Sequence, residues 1–94
     1  MNKADLINVV YSKNPNIQKK DIEQAINGVI DAIMSCVLSG ERVQINGFGS
    51  FETMDRMSRV GRNVYSGETV VLPPAKVPVF RPSRAFRKLV DSNG

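Results

Sequence analysis

At 94 residues, with thirteen lysines and arginines against nine acids and no histidine, the chain reads as one basic domain without a histidine-based triad or zinc site. Its single cysteine, Cys36, cannot close an internal disulfide or build a thiolate cage, and among apolar neighbours it reads as a small buried side chain in a reducing compartment. No apolar run approaches the roughly 20 residues of a membrane span, and Asp5 stands where an export signal would turn apolar, so neither is expected.

Asn2 and Asp5 predict a helix start, a capping side chain followed by an acid in the turn where the helix dipole favours negative charge. Leu6, Ile7, Val9 and Val10 supply the apolar positions of a short first helix ending near Lys13, and Asn14-Pro15-Asn16 is a turn because proline disfavours helix at the residue before it. The strongest periodic signal follows. Ile22, Ala25, Ile26, Val29, Ile30, Ile33, Met34, Val37 and Leu38 fall at helical spacing, and Gly40 is placed to end the helix in a left-handed cap. The stripe is wide, so more than one neighbour is expected to cover it; the first helix folded back on it makes a helical hairpin.

Val43-Gln44-Ile45 and Gly47-Phe48-Gly49-Ser50-Phe51 read as strand, turn, strand, and the size of Phe48, Phe51 and Phe80 assigns them to a core beneath the helices. Between Met54 and Pro74 the pattern changes. Arg56, Arg59 and Arg62 recur among few apolar residues, Asn63-Val64-Tyr65-Ser66-Gly67 has turn composition, and Thr69-Val70-Val71-Leu72 reads as a returning strand. The result is a hairpin with no apolar face to bury, marginal in isolation and expected to be mobile until something grips it. Val77, Val79 and Phe80 return to the core, and Pro82-Ser83 opens a last helix to about Val90, with Phe86, Leu89 and Val90 as its contacts and Arg84, Arg87 and Lys88 outward.

Charge is distributed unevenly along these elements. Residues 1–50 hold five basic residues and five acids, whereas Arg56 to Lys88 hold eight basic residues and one acid, Glu68. Such a segment points to a polyanion, because each neutralised phosphate releases condensed counterions. A body this small, with so wide an apolar stripe and three large rings, calls for more cover than two short helices provide; a two-fold homodimer supplies it and sets two basic hairpins side by side.

At these residues the chain resembles the bacterial HU and integration host factor family of DNA-bending proteins, HU type. The shared pieces are Met1-Asn2-Lys3 with Leu6-Ile7, Gly47-Phe48-Gly49-Ser50-Phe51, Gly61-Arg62-Asn63, Ser66-Gly67-Glu68, Pro73, Ala75-Lys76-Val77-Pro78, Phe80-Arg81-Pro82 and the basic last helix. Their order and spacing run through the chain. The resemblance implies an α+β fold: a helical dimerisation base (1–40), a β-sheet saddle (41–54 and 75–82), a long β-hairpin arm (55–74) and a short C-terminal helix (83–92), intertwined as a homodimer. Its dimer core would hold Phe48, Phe51, Phe80, Val29, Ile33 and Val37.

The same resemblance places Arg56, Arg59, Arg62 and Asn63 on the arm toward a DNA minor groove, and Arg81, Arg84 and Arg87 toward phosphates; Lys3 and Lys76, outside that pattern, read either as further DNA contacts or as plain surface. Where the family carries a proline that wedges between base pairs, this chain has Val64, apolar but without the rigid ring, and Tyr65 beside it offers a flat face. The expected partner is double-stranded DNA, with preference for bent, nicked or deformable duplexes, which cost less to distort. No catalysis, cofactor, metal, membrane or small-molecule substrate is expected, and the expected location is the cytoplasm, at a bacterial nucleoid. The rival readings are a sequence-preferring factor of the integration host factor kind, an RNA-binding protein, and a dimer whose basic arms take an acidic protein.

Overall fold

The structure is a computed structural model, described over residues 1–93. Its elements run α1 (Lys3–Lys13), α2 (Lys19–Leu38), β1 (Val43–Ile45), β2 (Gly49–Arg56), β3 (Arg59–Arg62), β4 (Thr69–Leu72), β5 (Ala75–Pro82) and α3 (Arg84–Asn93). They fall into two compact units, Met1–Ser35 and a second beginning at Cys36. Among the described residues no helix is long and apolar enough to cross a membrane.

In the first unit α1 begins on the expected cap. Asn2 Oδ1 accepts from the Asp5 N–H at 3.0 Å, and the Asp5 carboxylate accepts the Asn2 N–H at 3.0 Å, so two N–H groups with no partner inside the helix each gain a side-chain acceptor. The helix stops where Asn14 caps it, its N–H donating to the Tyr11 carbonyl and its side-chain amide to the Val10 carbonyl, just before Pro15 forbids continuation. Ile7 and Ile22 are buried in this unit.

The second unit opens on the end of α2. Gly40, at φ +89°, donates to the Val37 carbonyl, and Glu41 donates to the Cys36 carbonyl, which satisfies two of the last carbonyls of the helix. This is the paired closure that a glycine just past a helix permits, because it has no Cβ to clash in the left-handed region.

β1, β2 and β5 form an antiparallel sheet in that order, with Val43 opposite Phe51 and Phe51 opposite Phe80. Successive side chains alternate across a strand, so this register sorts the sheet into two faces. Phe51 and Phe80 share one; Ser50, Glu52, Val77, Val79 and Arg81 share the other. The two valines expected in the core with Phe80 therefore lie on the opposite face from it. At Gly49 the strands come so close that an added Cβ would sit 2.5 Å from the Arg81 carbonyl oxygen and 2.6 Å from the Phe80 ring, so no side chain fits. The Ser83 hydroxyl accepts the Phe86 N–H at 3.0 Å, capping α3 directly after Pro82.

All four phenylalanines of the chain meet here. Phe80 lies 4.9 Å from Phe51 and 5.0 Å from Phe48 by ring centroid, and Phe48 stacks on Phe86 at 5.6 Å. These spacings are those of favourable offset and tilted ring pairs. Yet Phe48 remains 42% exposed and Phe80 37% exposed, so one chain assembles the cluster without closing it.

Candidate nucleic-acid interface

The arm is one hairpin with a break in its ladder. β2 pairs with β5 as far as Arg56 opposite Ala75, and β3 pairs with β4 from Arg59 opposite Leu72, in the same continuing register. Between them Met57 and Ser58 run opposite Pro74 and Pro73. Two prolines in succession remove the N–H donors that a ladder needs, which divides the strands into a three-stranded and a two-stranded sheet. The sheet body thus reaches Arg56, two residues beyond the boundary expected from the sequence.

Arg56 sits at the break, half-buried, and donates to the Pro73 carbonyl at 3.4 Å while its Nε is buried without a hydrogen-bond partner. It ties the base of the arm together instead of projecting like Arg62, which is exposed. No side chain of β4 is buried. The side chain of Arg59 lies outside the described residues; its backbone is in β3.

Among the described residues, the tip is closed by main-chain and polar contacts. Asn63 donates to the Glu68 carbonyl and accepts from Gly67, both at 2.8 Å. Asn63 Oδ1 accepts the N–H groups of Tyr65 at 2.9 Å and Ser66 at 3.3 Å, and Gly67 takes φ +72°. A side-chain oxygen that replaces a backbone acceptor in this way holds a turn without a packed core. Val64 and Tyr65 are left 93% and 100% exposed.

The face of the three-stranded sheet opposite Phe51 and Phe80 carries a second feature. Glu52 accepts a hydrogen bond from Arg81 Nε and lies 3.7 Å from Arg42 Nε, while Arg42 also reaches the buried Ser50 hydroxyl at 3.5 Å. One carboxylate thus partly neutralises two arginines. Among the described residues, Arg62, Arg84 and Arg87 form no ion pair. Lys76 is exposed and faces Asp55 across the strands, and Lys3 is exposed in the first turn of α1.

A model of the bacterial DNA-binding protein family matches residues 1–91. The chain belongs to this family. It is 40% identical over 90 residues to DNA-binding protein HU 1 of Bacillus subtilis, covering 96% of this chain and 97% of that protein. It is 39% identical over 93 residues to the integration host factor β subunit of Halorhodospira halophila, covering 99% and 91%. Among solved structures, the Anabaena HU–DNA cocrystal structure superposes with a TM-score of 0.89 at 36% identity, covering 96% of this chain and 97% of that one. That HU chain therefore shares this fold, and the expected helices, sheet, hairpin arm and last helix are all present.

Of the residues singled out in the sequence, the hairpin brings together Arg62, Asn63 and Val64 at its outer end and leaves Arg56 at its root. Arg81 lies in β5, Arg84 and Arg87 on the exposed surface of α3. Sequence reasoning missed Arg42 and Glu52. Their link to Arg81 depends on strand register, which joins positions 29 residues apart and leaves no local pattern to find.

Proposed function

We propose that two copies of this chain pair and clasp duplex DNA, which the arms enter through the minor groove and bend, with no catalytic step and no cofactor. HU and integration host factor are themselves the type examples of this minor-groove binding. The observation that carries the reading is an exposed basic hairpin with no apolar interior of its own, in a chain that superposes on HU crystallised with DNA. In this reading Arg59, Arg62, Asn63 and Val64 engage the groove, while Arg81, Arg84, Arg87, Lys76 and Lys3 meet phosphates along the body. Arg56 acts mainly by keeping the root of the arm in shape. The site of action is the bacterial cytoplasm, at the nucleoid.

Pairing is supported by what one chain leaves open. Leu38 is 90% exposed and Val29 and Met34 are exposed on α2, and an open groove of about 430 Å³ is lined by Phe80, Pro82, Phe86, Arg87, Val90 and Asp91. Apolar surface on this scale is what a second copy covers. Phe48, Phe51, Phe80, Val29 and Ile33 have area left to contribute; Val37 is already buried within one chain.

Low sequence selectivity follows from the chemistry of the tip. In the minor groove A·T and T·A pairs present only acceptors and G·C adds the guanine amino donor, so a side chain that reads it there needs a free acceptor. Here the acceptor, Asn63 Oδ1, is occupied by Tyr65 and Ser66. The remaining groups are arginines, which suit phosphate, and apolar side chains, which do not discriminate by hydrogen bonding. Anisotropy titrations of the intact protein with plain DNA, nicked DNA and RNA duplexes of equal length test the reading. Expected are a steep loss of affinity with salt, a preference for nicked DNA, and weaker binding to the A-form duplex. Binding RNA as well as DNA, or indifference to salt, would count against it.

The Glu52 cluster yields a prediction of opposite sign to the usual loss. Phosphate must compete with Glu52 for Arg81, so Glu52→Gln is expected to tighten DNA binding about three- to tenfold near physiological salt. The slope of log K against log salt should steepen by up to about 1.8, one arginine per protomer being freed. Stability should change little, since exposed ion pairs contribute about 0–1 kcal/mol. Unchanged affinity in the same titration would mean that Arg81 does not meet phosphate.

A further inference from the structure

We propose that Tyr65 is the residue that stacks on DNA: its ring lies against an unstacked base pair at the kink or nick where the arm tip enters. The inference rests on the DNA-binding reading above and adds a residue and a ligand surface to it.

The tip turn does not need this ring. It is held by Asn63, Ser66 and the main chain: Asn63 N–H to the Glu68 carbonyl, Gly67 N–H to the Asn63 carbonyl, Tyr65 and Ser66 N–H to Asn63 Oδ1, and Glu68 N–H to Ser66 Oγ at 3.3 Å. None of these contacts involves the Tyr65 side chain, and that side chain is fully exposed. An aromatic ring with no role in folding sits at the end of a hairpin whose charged groups are mostly cationic. From Arg56 to Lys76 there are four basic residues and a single acid, Glu68.

The backbone beneath the ring is fixed by the Tyr65 N–H bond to Asn63 Oδ1 at 2.9 Å, so its placement costs little further ordering. Tyrosine has only two side-chain torsions and offers a large rigid face. Its neighbour Val64 is equally exposed but branched; it can fill a gap, yet it has no plane to lay against a base. Every base has such a plane, so stacking adds affinity without adding sequence preference. A nick, gap or mismatch lowers the cost of exposing that plane, which makes damaged or kinked duplex the ligand class.

The chain has two tyrosines, Tyr11 and Tyr65, and no tryptophan, so in a Tyr11→Phe protein the tyrosine emission reports Tyr65 alone. Titrating the full-length Tyr11→Phe protein with nicked duplex should quench that emission strongly at saturation. In parallel, Tyr65→Ala should weaken binding to nicked duplex by about tenfold or more, in the range found for base–aromatic stacks. Tyr65→Phe, which keeps the plane, should restore the loss, and Tyr65→Leu, which keeps only bulk, should not. A saturated complex with unquenched Tyr65, or a leucine variant equal to the phenylalanine one, would overturn the stacking role while leaving DNA binding intact. Failure of the Tyr11→Phe protein to bind either plain or nicked DNA would overturn both.

Discussion

Changing Arg59 and Arg62 together to alanine is expected to weaken duplex binding by about 10²–10³-fold near physiological salt, and to lower the slope of log K against log salt by about 3.6. The size of the change follows from counterion release, at about 0.9 per neutralised phosphate, for two residues on each of two arms. The loss should be similar for unrelated sequences, because phosphate contacts position a protein without reading bases. Arg56→Ala is the informative contrast. Its guanidinium is directed to the Pro73 carbonyl and its Nε is buried, so its removal should reduce the slope less than Arg62→Ala does. Instead it should loosen the root of the arm, seen as faster amide exchange in β3 and β4. Equal slope changes for Arg56→Ala and Arg62→Ala would show that Arg56 leaves Pro73 to meet phosphate. A double variant that binds with the parent's salt dependence would remove the arm from the interface.

The largest effect on stability is expected at Phe80. Its ring touches those of Phe48, Phe51 and Phe86, so it is the residue through which β2, β5 and α3 share one cluster. Truncating a core phenylalanine to alanine costs about 3–5 kcal/mol, and a domain of this size has only about 5–15 kcal/mol in total. Because Phe80 keeps exposed area in one chain, part of that loss should fall on pairing. Phe80→Ala should therefore unfold at a lower denaturant midpoint than the parent, with a stronger dependence of the midpoint on protein concentration. Val71→Ala, on the exposed surface of β4, should shift the midpoint by less than about 0.5 kcal/mol equivalent. If the two variants unfold alike, the ring cluster does not hold the body together.

These two predictions differ in how much of their basis was legible without a structure. The arm's position and charge were readable, since a basic segment that lacks apolar periodicity cannot join a core and suits a polyanion instead. The ring cluster was readable in composition but not in geometry. Phe48, Phe51 and Phe80 were identifiable as core residues, whereas the stacking of Phe48 on Phe86 requires α3 to return over the sheet. The break in the arm was written in Pro73-Pro74, yet its consequence appears only when those residues are set opposite Met57 and Ser58 by register.

The amino-acid order alone determined the parts that depend on neighbours a few residues away. The Asn2–Asp5 capping box, the Gly40 closure, the Ser83 cap and the Asn63 turn each join groups within about one turn of chain, so composition and spacing suffice to specify them. Tertiary structure decided which charges remain available. Arg56, Arg62 and Arg81 are the same residue type in the same basic stretch, but one is bound to a carbonyl, one is exposed and one is held by Glu52. The reason is strand register. It brings together residues 17 and 29 positions apart, and no local periodicity records what a guanidinium meets across that distance.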